Sequence, residues 1–283
     1  MKRSWLAALC AAALLPAAGA IAQNADSQPQ VSAALAPAKI GPEACQKTLL
    51  TDFDPDKGDF FGHDVSIWDV GSAILFRSGM TIDADGAPNA YNPQNTGLDD
   101  LSNAGGPGHW DGLVADREGN PIIQDSSDPF PGFYVSQTAL VDWSKAPDDP
   151  ARYVDASKIP YIVLPVVLSH QFGARLGDFA VVMNIRRATV ADAIFADIGT
   201  LGEGSIALAN QLGIRSDARD GGTRGGVLYL VYPGSGGRQP RSADEIKSET
   251  DNIFQQWGGM EKLNACEGEL PPPRFQMAER NFH

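Results

Sequence analysis

Short apolar runs separated by turn-forming residues are the feature that most limits how this chain can fold. The runs are rich in Val, Ile, Tyr and Phe and are mostly five to eight residues long, as β-strands are. Gly, Pro, Asn and Asp lie between them and are typical of turns. Because long helices do not alternate with the runs, a parallel sheet with crossover helices is disfavoured and a mainly β domain is expected. The candidate strands are Ala73–Arg77, Gly112–Ala115, Pro121–Gln124, Phe133–Thr138, Tyr161–Leu168, Asp178–Asn184, Ala191–Asp197 and Val227–Tyr232.

Two segments predict helices instead. The first runs from Glu203 to Leu212, with Gly213 as its stop. The second begins at Ser242, which forms a capping box with Glu245, and ends at the glycine pair that starts at Gly258. Its apolar side chains recur on one face, which we expect to pack in the core. They are Ile246, Ile253, Phe254 and Trp257.

The two ends of the chain differ in composition from its body. Residues 1–22 have the basic start, apolar run and small residues of a secretory signal peptide, cleaved near Ala22. Residues 23–42 predict a disordered leader and residues 271–283 a flexible tail. A single domain is expected over residues 43–270, secreted or periplasmic. No segment is long and apolar enough to span a membrane.

The charge of the chain limits its partners. The formal net charge is −13, and removal of Lys2 and Arg3 with the signal leaves 20 basic against 35 acidic residues, or −15. Nucleic acid is disfavoured as a partner, because phosphate binding needs clustered Lys and Arg. A polycationic substrate is compatible with this charge, although an acidic surface is also ordinary in soluble proteins. We expect a monomer.

Two cysteines remain after signal cleavage, Cys45 and Cys266. In an oxidising compartment such a pair predicts a disulfide that joins the two ends of the domain. The chain-entropy model assigns such a closure at most roughly 4–5 kcal/mol. The four histidines show no metal-ligand spacing, so neither a metal nor another cofactor is expected. They are His63, His109, His170 and His283.

One segment combines two acidic residues with a turn. An apolar run ends at Asp197, and Glu203 follows after a glycine-bounded turn. Glycoside hydrolysis needs one carboxyl group as an acid and a second as a base or nucleophile. Six residues across a turn can place the two groups ~6.5–9.5 Å apart, as inverting enzymes require, although the ~5 Å of retaining enzymes also fits this spacing. An Asp at a strand end and a Glu at a helix start are equally common structural choices.

Four phrases in order along the chain resemble the glycoside hydrolase family 75 chitosanases, known chiefly from fungi with bacterial relatives. The resemblance covers about residues 79–236. The phrases are Asp83-Ala-Asp85-Gly86-Ala-Pro-Asn-Ala-Tyr91, Tyr153-Val-Asp155-Ala-Ser-Lys-Ile-Pro160-Tyr-Ile-Val-Leu-Pro165, Leu176-Gly-Asp178-Phe-Ala-Val-Val, and Phe195-Ala-Asp197-Ile-Gly199 with Gly202-Glu203-Gly204-Ser205.

The resemblance implies a function and a site. It implies an endo-acting hydrolase that cleaves the β-1,4 linkages of chitosan by inversion, with Asp197 and Glu203 as the catalytic pair. The turn between these two residues is shorter here than in the fungal members. Either residue can be the acid at this stage. The acids that could pair with glucosamine ammonium groups are Asp155, Asp178, Asp83 and Asp85. The aromatic residues Trp110 and Tyr134 could stack on sugars, although burial in the core is the more common role for either of them.

The resemblance also bears on the fold. The Asp85-Gly86 phrase is similar to sequences on double-psi β-barrels, so we expect a six-stranded barrel of that type, with insertions and a few short helices. Two other functions stay open. One is a hydrolase or lytic enzyme directed at peptidoglycan, and the other is a non-catalytic saccharide-binding protein of the cell envelope.

Overall fold

The computed structural model describes residues 45–53 and 65–270. The signal peptide (1–22), the leader (23–42) and the tail (271–283) predicted above lie outside these residues. The ten strands are β1 (Thr48–Phe53), β2 (Val65–Asp69), β3 (Ile74–Asp83), β4 (Gly105–Gly106), β5 (His109–Trp110), β6 (Tyr161–Leu164), β7 (Phe179–Asn184), β8 (Thr189–Ile198), β9 (Glu203–Ser205) and β10 (Thr223–Val231). The four α-helices are α1 (Val166–Phe172), α2 (Ile206–Gln211), α3 (Ala243–Trp257) and α4 (Gly259–Glu269). None of these helices has the length and apolar character needed to cross a membrane.

Six of the strands close into a barrel. They follow one another in the order β3, β10, β7, β8, β6 and β9, and β9 pairs with β3 again. The pairs β6–β8 and β3–β9 are parallel and the other four are antiparallel. Parallel neighbours require connections that cross the end of the barrel, as in a double-psi-type barrel. The expectation of a mainly β fold built on a closed six-stranded barrel is confirmed.

Successive side chains of each strand point alternately to the inside and the outside of the barrel, and both of these faces are apolar. Phe76 and Tyr229 stack inside it with ring centroids 4.8 Å apart, and α2 contributes Leu208 to the same core. The opposite faces of the strands, for example at Leu75 and Val163, belong to a second core outside the barrel. Helices α3 and α4 cover part of this outer face. The long connection from β3 to β6, residues 84–160, also packs against it.

The connection 84–160 contains three predicted strands that do not form ladders. Gly112–Ala115, Pro121–Gln124 and Phe133–Thr138 contribute only isolated bridges, such as the one between Leu113 and Ser136. Turn residues recur every few positions here, so a continuous ladder cannot extend. The segment instead packs through individual apolar side chains, of which Tyr91 is the largest fully buried one.

Two predicted segments change from strand to helix along their length. The run Tyr161–Leu168 divides at Pro165, which caps α1, because proline lacks a donor for a strand ladder but suits a helix start. The predicted helix 203–212 begins only at Ile206, since residues 203–205 form β9. The Ser205 hydroxyl caps α2 by accepting the Leu208 N–H at 3.1 Å. The predicted capping box of α3 is confirmed.

The disulfide Cys45–Cys266 is confirmed and joins the start of the described chain to α4, with Cα atoms 4.9 Å apart. Both cysteines are buried in the outer core. The neighbouring ion pair from Lys47 Nζ to Glu269, at 2.9 Å, links the same two segments. These two links anchor helix α4 to the start of the described chain. The sequence analysis did not predict this helix.

The double variant Cys45→Ser, Cys266→Ser should lower the free energy of unfolding by about 2–5 kcal/mol, because the reduced chain loses a 221-residue closure. Urea unfolding of the oxidised protein and of the variant measures this difference. Wild-type protein unfolded with a reducing agent should match the variant. An unchanged free energy of unfolding in the double variant would show that the closure adds nothing.

Candidate active site

Strand pairing places the two candidate catalytic residues on either side of Val163. On β6, Val163 lies opposite Glu203 of β9 and also opposite Asp197 of β8. Since neighbouring strands are about 4.8 Å apart, the Cα atoms of Asp197 and Glu203 are about 10 Å apart. A methyl group at Gly199 would lie 2.8 Å from Glu203 Oε2 and 3.0 Å from Val163 Cγ1. Glu203 and Val163 therefore share the outer face of the barrel.

A β-bulge turns Asp197 to that same face. Phe195 lies opposite Ile162, and both belong to the core inside the barrel. Strict alternation would send Asp197 inward as well. The register shifts after Ile162, so Asp197 rather than Ala196 lies opposite Val163. One extra residue changes the face on which the following side chain lies, and this shift brings Asp197 to the side of Glu203.

Two further acids join the patch from the end of β3. One carboxylate oxygen each of Asp83, Asp85 and Asp197 lies within 4.8 Å of the others. Asp83 lies opposite Ser205 of β9, two residues from Glu203, and accepts the Asp85 N–H at 2.8 Å. We refer to Asp83, Asp85, Asp197 and Glu203 as the acid cluster. Four of the residues that the sequence predicted for the site thus lie in one patch.

Tyr91 connects the acid cluster to a further carboxyl group. Its hydroxyl oxygen lies 2.7 Å from Asp85 Oδ1 and 3.2 Å from Asp99 Oδ2. A phenol carries one proton, so both contacts are hydrogen bonds only if one of the two carboxyl groups carries a proton itself. The geometry thus points to shared protons among these acids.

Burial raises the pKa of the two acids that follow β3. The pKa of Asp83 is about 6, chiefly because of burial, and hydrogen bonds from the Asp85 N–H and Tyr161 oppose the rise. The pKa of Asp85 lies well above its ordinary range, because of burial and then because of the charge of Asp83. A carboxyl group that loses water without gaining a cation holds its proton more tightly.

The same causes act on the catalytic candidates. Burial and Asp83 raise the pKa of Asp197 well above its ordinary range, although its Oδ1 accepts N–H bonds from Ala139 and Ile198 at 2.9 and 2.8 Å, which favour the ionised form. Burial and Asp83 raise the pKa of Glu203 to about 7, against one N–H bond from Thr200.

No Lys, Arg or His of the described chain forms an ion pair with a member of the acid cluster. Like charges this close cannot all ionise near neutral pH. Two kinds of partner can relieve the repulsion, namely bound protons or a cation from outside. The three oxygens of Asp83, Asp85 and Asp197 are also suitable ligands for a divalent metal ion, a grouping that the sequence did not reveal.

Two acids predicted to bind substrate have local structural roles. Asp178 is fully buried, and its oxygens accept the N–H groups of Arg175, Gly234 and Gly236 at 2.7–2.8 Å. A ligand cannot reach it, so its predicted substrate-binding role is wrong. Asp155 forms an ion pair with Lys158 at 2.8 Å and accepts two hydrogen bonds from Ser157. These contacts stabilise its own turn.

The two aromatic residues predicted to stack on sugars pack against the outer core. Trp110 donates its indole N–H to the Gly119 carbonyl at 3.2 Å, and Tyr134 is partly buried against the same core. The sequence missed Trp143, which is 75% exposed. Its signal, a single aromatic residue in a polar stretch, does not differ from that of a core residue.

Comparison with known proteins found no family model that matches the chain and no curated protein with a significant match. The resemblance to glycoside hydrolase family 75 therefore stays a prediction.

Raised carboxyl pKa values predict how stability changes with pH. These groups bind protons more tightly in the folded chain, so unfolding releases protons. The free energy of unfolding should fall as the pH rises from about 4, the ordinary value, through about 6 for Asp83 and about 7 for Glu203. It should level off at higher pH.

The variant Asp85→Asn removes one of the repelling charges and keeps an acceptor for Tyr91. It should raise the free energy of unfolding at pH 8 by about 1–3 kcal/mol. The decrease of this free energy with rising pH should therefore be smaller than in the wild type. Urea unfolding at pH 4.5 and 8 measures both effects, with the exposed Asp148→Asn as control. If the free energy of unfolding changed equally with pH in Asp85→Asn and in the wild type, the acid cluster would not consist of repelling carboxyl groups without a positive partner.

Proposed function

We propose that this protein is an exported glycoside hydrolase that cleaves β-1,4 linkages within an aminosugar polysaccharide, with chitosan as the first candidate substrate. The observation that carries the proposal is the placement of Asp197 and Glu203 on one face, on either side of Val163. Their Cα spacing of about 10 Å leaves room for a water molecule between the carboxyl groups. The inverting mechanism in the proposal comes from the resemblance to glycoside hydrolase family 75.

The surroundings of the two residues support different roles. Glu203, with a pKa of about 7, holds a proton near neutral pH and gives it to the glycosidic oxygen as the bond to the anomeric carbon breaks. Burial and Asp83 raise the pKa of Asp197 well above its ordinary range. The two N–H bonds that Asp197 accepts, and a cationic substrate that neutralises Asp83, favour the ionised form that a base requires. Asp197 takes a proton from the water molecule whose oxygen attacks the anomeric carbon from the opposite side.

The acid cluster favours a cationic substrate. Asp83 and Asp85 lie beside the catalytic pair without a positive partner in the described chain. The ammonium group of a glucosamine unit would supply this charge and lower the pKa of the carboxyl group that it contacts. The net charge of −13 would attract such a polymer over a longer distance.

Substitution of the catalytic pair tests the proposal. Asp197→Asn and Glu203→Gln should each lower kcat on chitosan by about 10²–10⁴-fold, because each removes one proton transfer. Reducing-end assays measure the rate, and proton NMR of fresh products should show the inverted anomer. Asp148→Asn should retain full activity. Wild-type turnover in either carboxylate variant, or saccharide binding without turnover in the wild-type protein, would overturn the hydrolase proposal.

A methyl group at Gly199 tests whether the position of Glu203 matters. The backbone of Gly199 is not left-handed, so alanine can adopt the same backbone conformation. The Cβ of that alanine would lie 2.8 Å from Glu203 Oε2. Gly199→Ala should therefore displace the carboxyl group and lower kcat by about 10–100-fold at an almost unchanged Tm.

The matched control is Gly268→Ala in α4, where a Cβ has no neighbour within 4 Å. Gly268→Ala should keep the wild-type kcat. Equal kcat values for the two alanine variants would mean that Glu203 need not occupy its observed position.

A further inference from the structure

We propose that a groove beside Asp197 is a subsite for a carboxylate-bearing sugar unit of the substrate, an inference that rests on the proposed function. The groove has a volume of about 550 Å³, within the usual range for ligand sites. It lies between the connection 84–160, helix α1 and the loop after β10.

The groove adjoins the catalytic centre. Ala139 and Ile198 both line it, and these two residues donate their N–H groups to Asp197 Oδ1. The groove therefore lies next to the two backbone donors that hold Asp197.

The charge of the groove is opposite to that of the protein. Arg175, Arg238 and His170 line it, and no acidic residue of the described chain does. Neither arginine side chain forms an ion pair or hydrogen bond within the described chain, although the chain has a net charge of −13. Guanidinium groups bind carboxylates through two parallel hydrogen bonds. Their free donors thus favour a carboxylate ligand.

The two arginines are held in place by buried Asp178. Its carboxylate accepts N–H groups from Arg175 on one loop and from Gly234 and Gly236 on the loop that carries Arg238. Arg238 itself has a left-handed backbone, with φ of 56°. A non-glycine residue keeps this costly conformation only where its surroundings impose it, often at a ligand site. The backbones of the two loops are therefore held in place, and the exposed side chains of both arginines extend from them along the groove.

Trp143 supplies a surface on which a sugar can stack. It lines the groove and is 75% exposed. The guanidinium of Arg152 lies 4.8 Å from the centre of its ring, and Arg152 is in turn held by the Lys145 carbonyl. One ring face is thus supported while the residue stays largely open to a ligand.

These features select among aminosugar polymers. The ammonium group of a glucosamine unit would face two guanidinium groups in the groove and be repelled. On chitosan the unit bound there is then an acetylated one. A unit that carries a carboxylate binds more strongly than either, because it pairs with Arg175 and Arg238.

The test uses two sugars that differ only in one carboxylate-bearing substituent, N-acetylmuramic acid and N-acetylglucosamine. NMR titrations of the Asp197→Asn protein at low salt should show about 10-fold or tighter binding of N-acetylmuramic acid. The double variant Arg175→Ala, Arg238→Ala, built in the same protein, should lose this difference. The control Arg224→Ala, an exposed arginine on β10, should keep it.

Equal affinity for the two sugars would overturn the proposal, and so would a preference that survives in the double variant. If sulfate bound in the groove as tightly as N-acetylmuramic acid, the groove would be a general anion site, and the proposal of a sugar subsite would also be overturned. Because binding is measured in the Asp197→Asn protein, it does not depend on turnover. Sugar discrimination in a protein without hydrolase activity would leave the groove intact and reject only the proposed function, whereas hydrolysis without discrimination would reject only the groove.

Discussion

The site depends on the packing of several carboxyl groups without a positive partner in the described chain. Asp83, Asp85 and Asp197 share a space less than 5 Å wide, and Glu203 is two strands from Asp197. Such an arrangement costs folding free energy, because ionised carboxylates lose water and repel one another. The fold tolerates it through backbone donors, Tyr91 and shared protons. A site of this kind can donate a proton near neutral pH and also attract a cation, which are the two properties that cleavage of a cationic saccharide requires.

The barrel supplies the rigidity that holds these groups together. Asp83, Asp197 and Glu203 lie on or at the end of strands that pair with one another or with β6, so their backbone positions follow from the ladder. A bulge after Phe195 interrupts the pairing of β8 with β6, and it brings Asp197 to the outer face. Beyond Asp197 the charge of the surface reverses, because Arg175 and Arg238 lie on loops anchored by Asp178. A saccharide chain across the site would thus meet acidic and basic surroundings in turn.

Much of this could be predicted from the sequence where the signal was local. The strands β7, β8 and β10 are apolar and bounded by turn residues, and the capping box at Ser242 identifies the start of α3 from four positions. The catalytic candidates came from two carboxylates around a glycine-bounded turn together with the family resemblance. The remaining features depend on pairing between distant residues. The short strand β9 forms only because β3 and β6 lie on either side of it, and the segment 84–160 has strand-like composition without a partner strand. The burial of Asp178 could not be told from sequence, because a carboxylate before a strand can face water or cap neighbouring loops equally well.

The most direct test of the account is the pKa of Glu203 itself, measured by carbon-13 NMR of the side-chain carboxyl groups during a pH titration. The account predicts a carboxyl signal that titrates near pH 7, disappears in Glu203→Gln, and moves toward lower pH in Asp83→Asn as one repelling charge is removed. A Glu203 signal that titrates at its ordinary value of 4.5, with no response to Asp83→Asn, would contradict the claim that these acids share protons in a cluster without a cation.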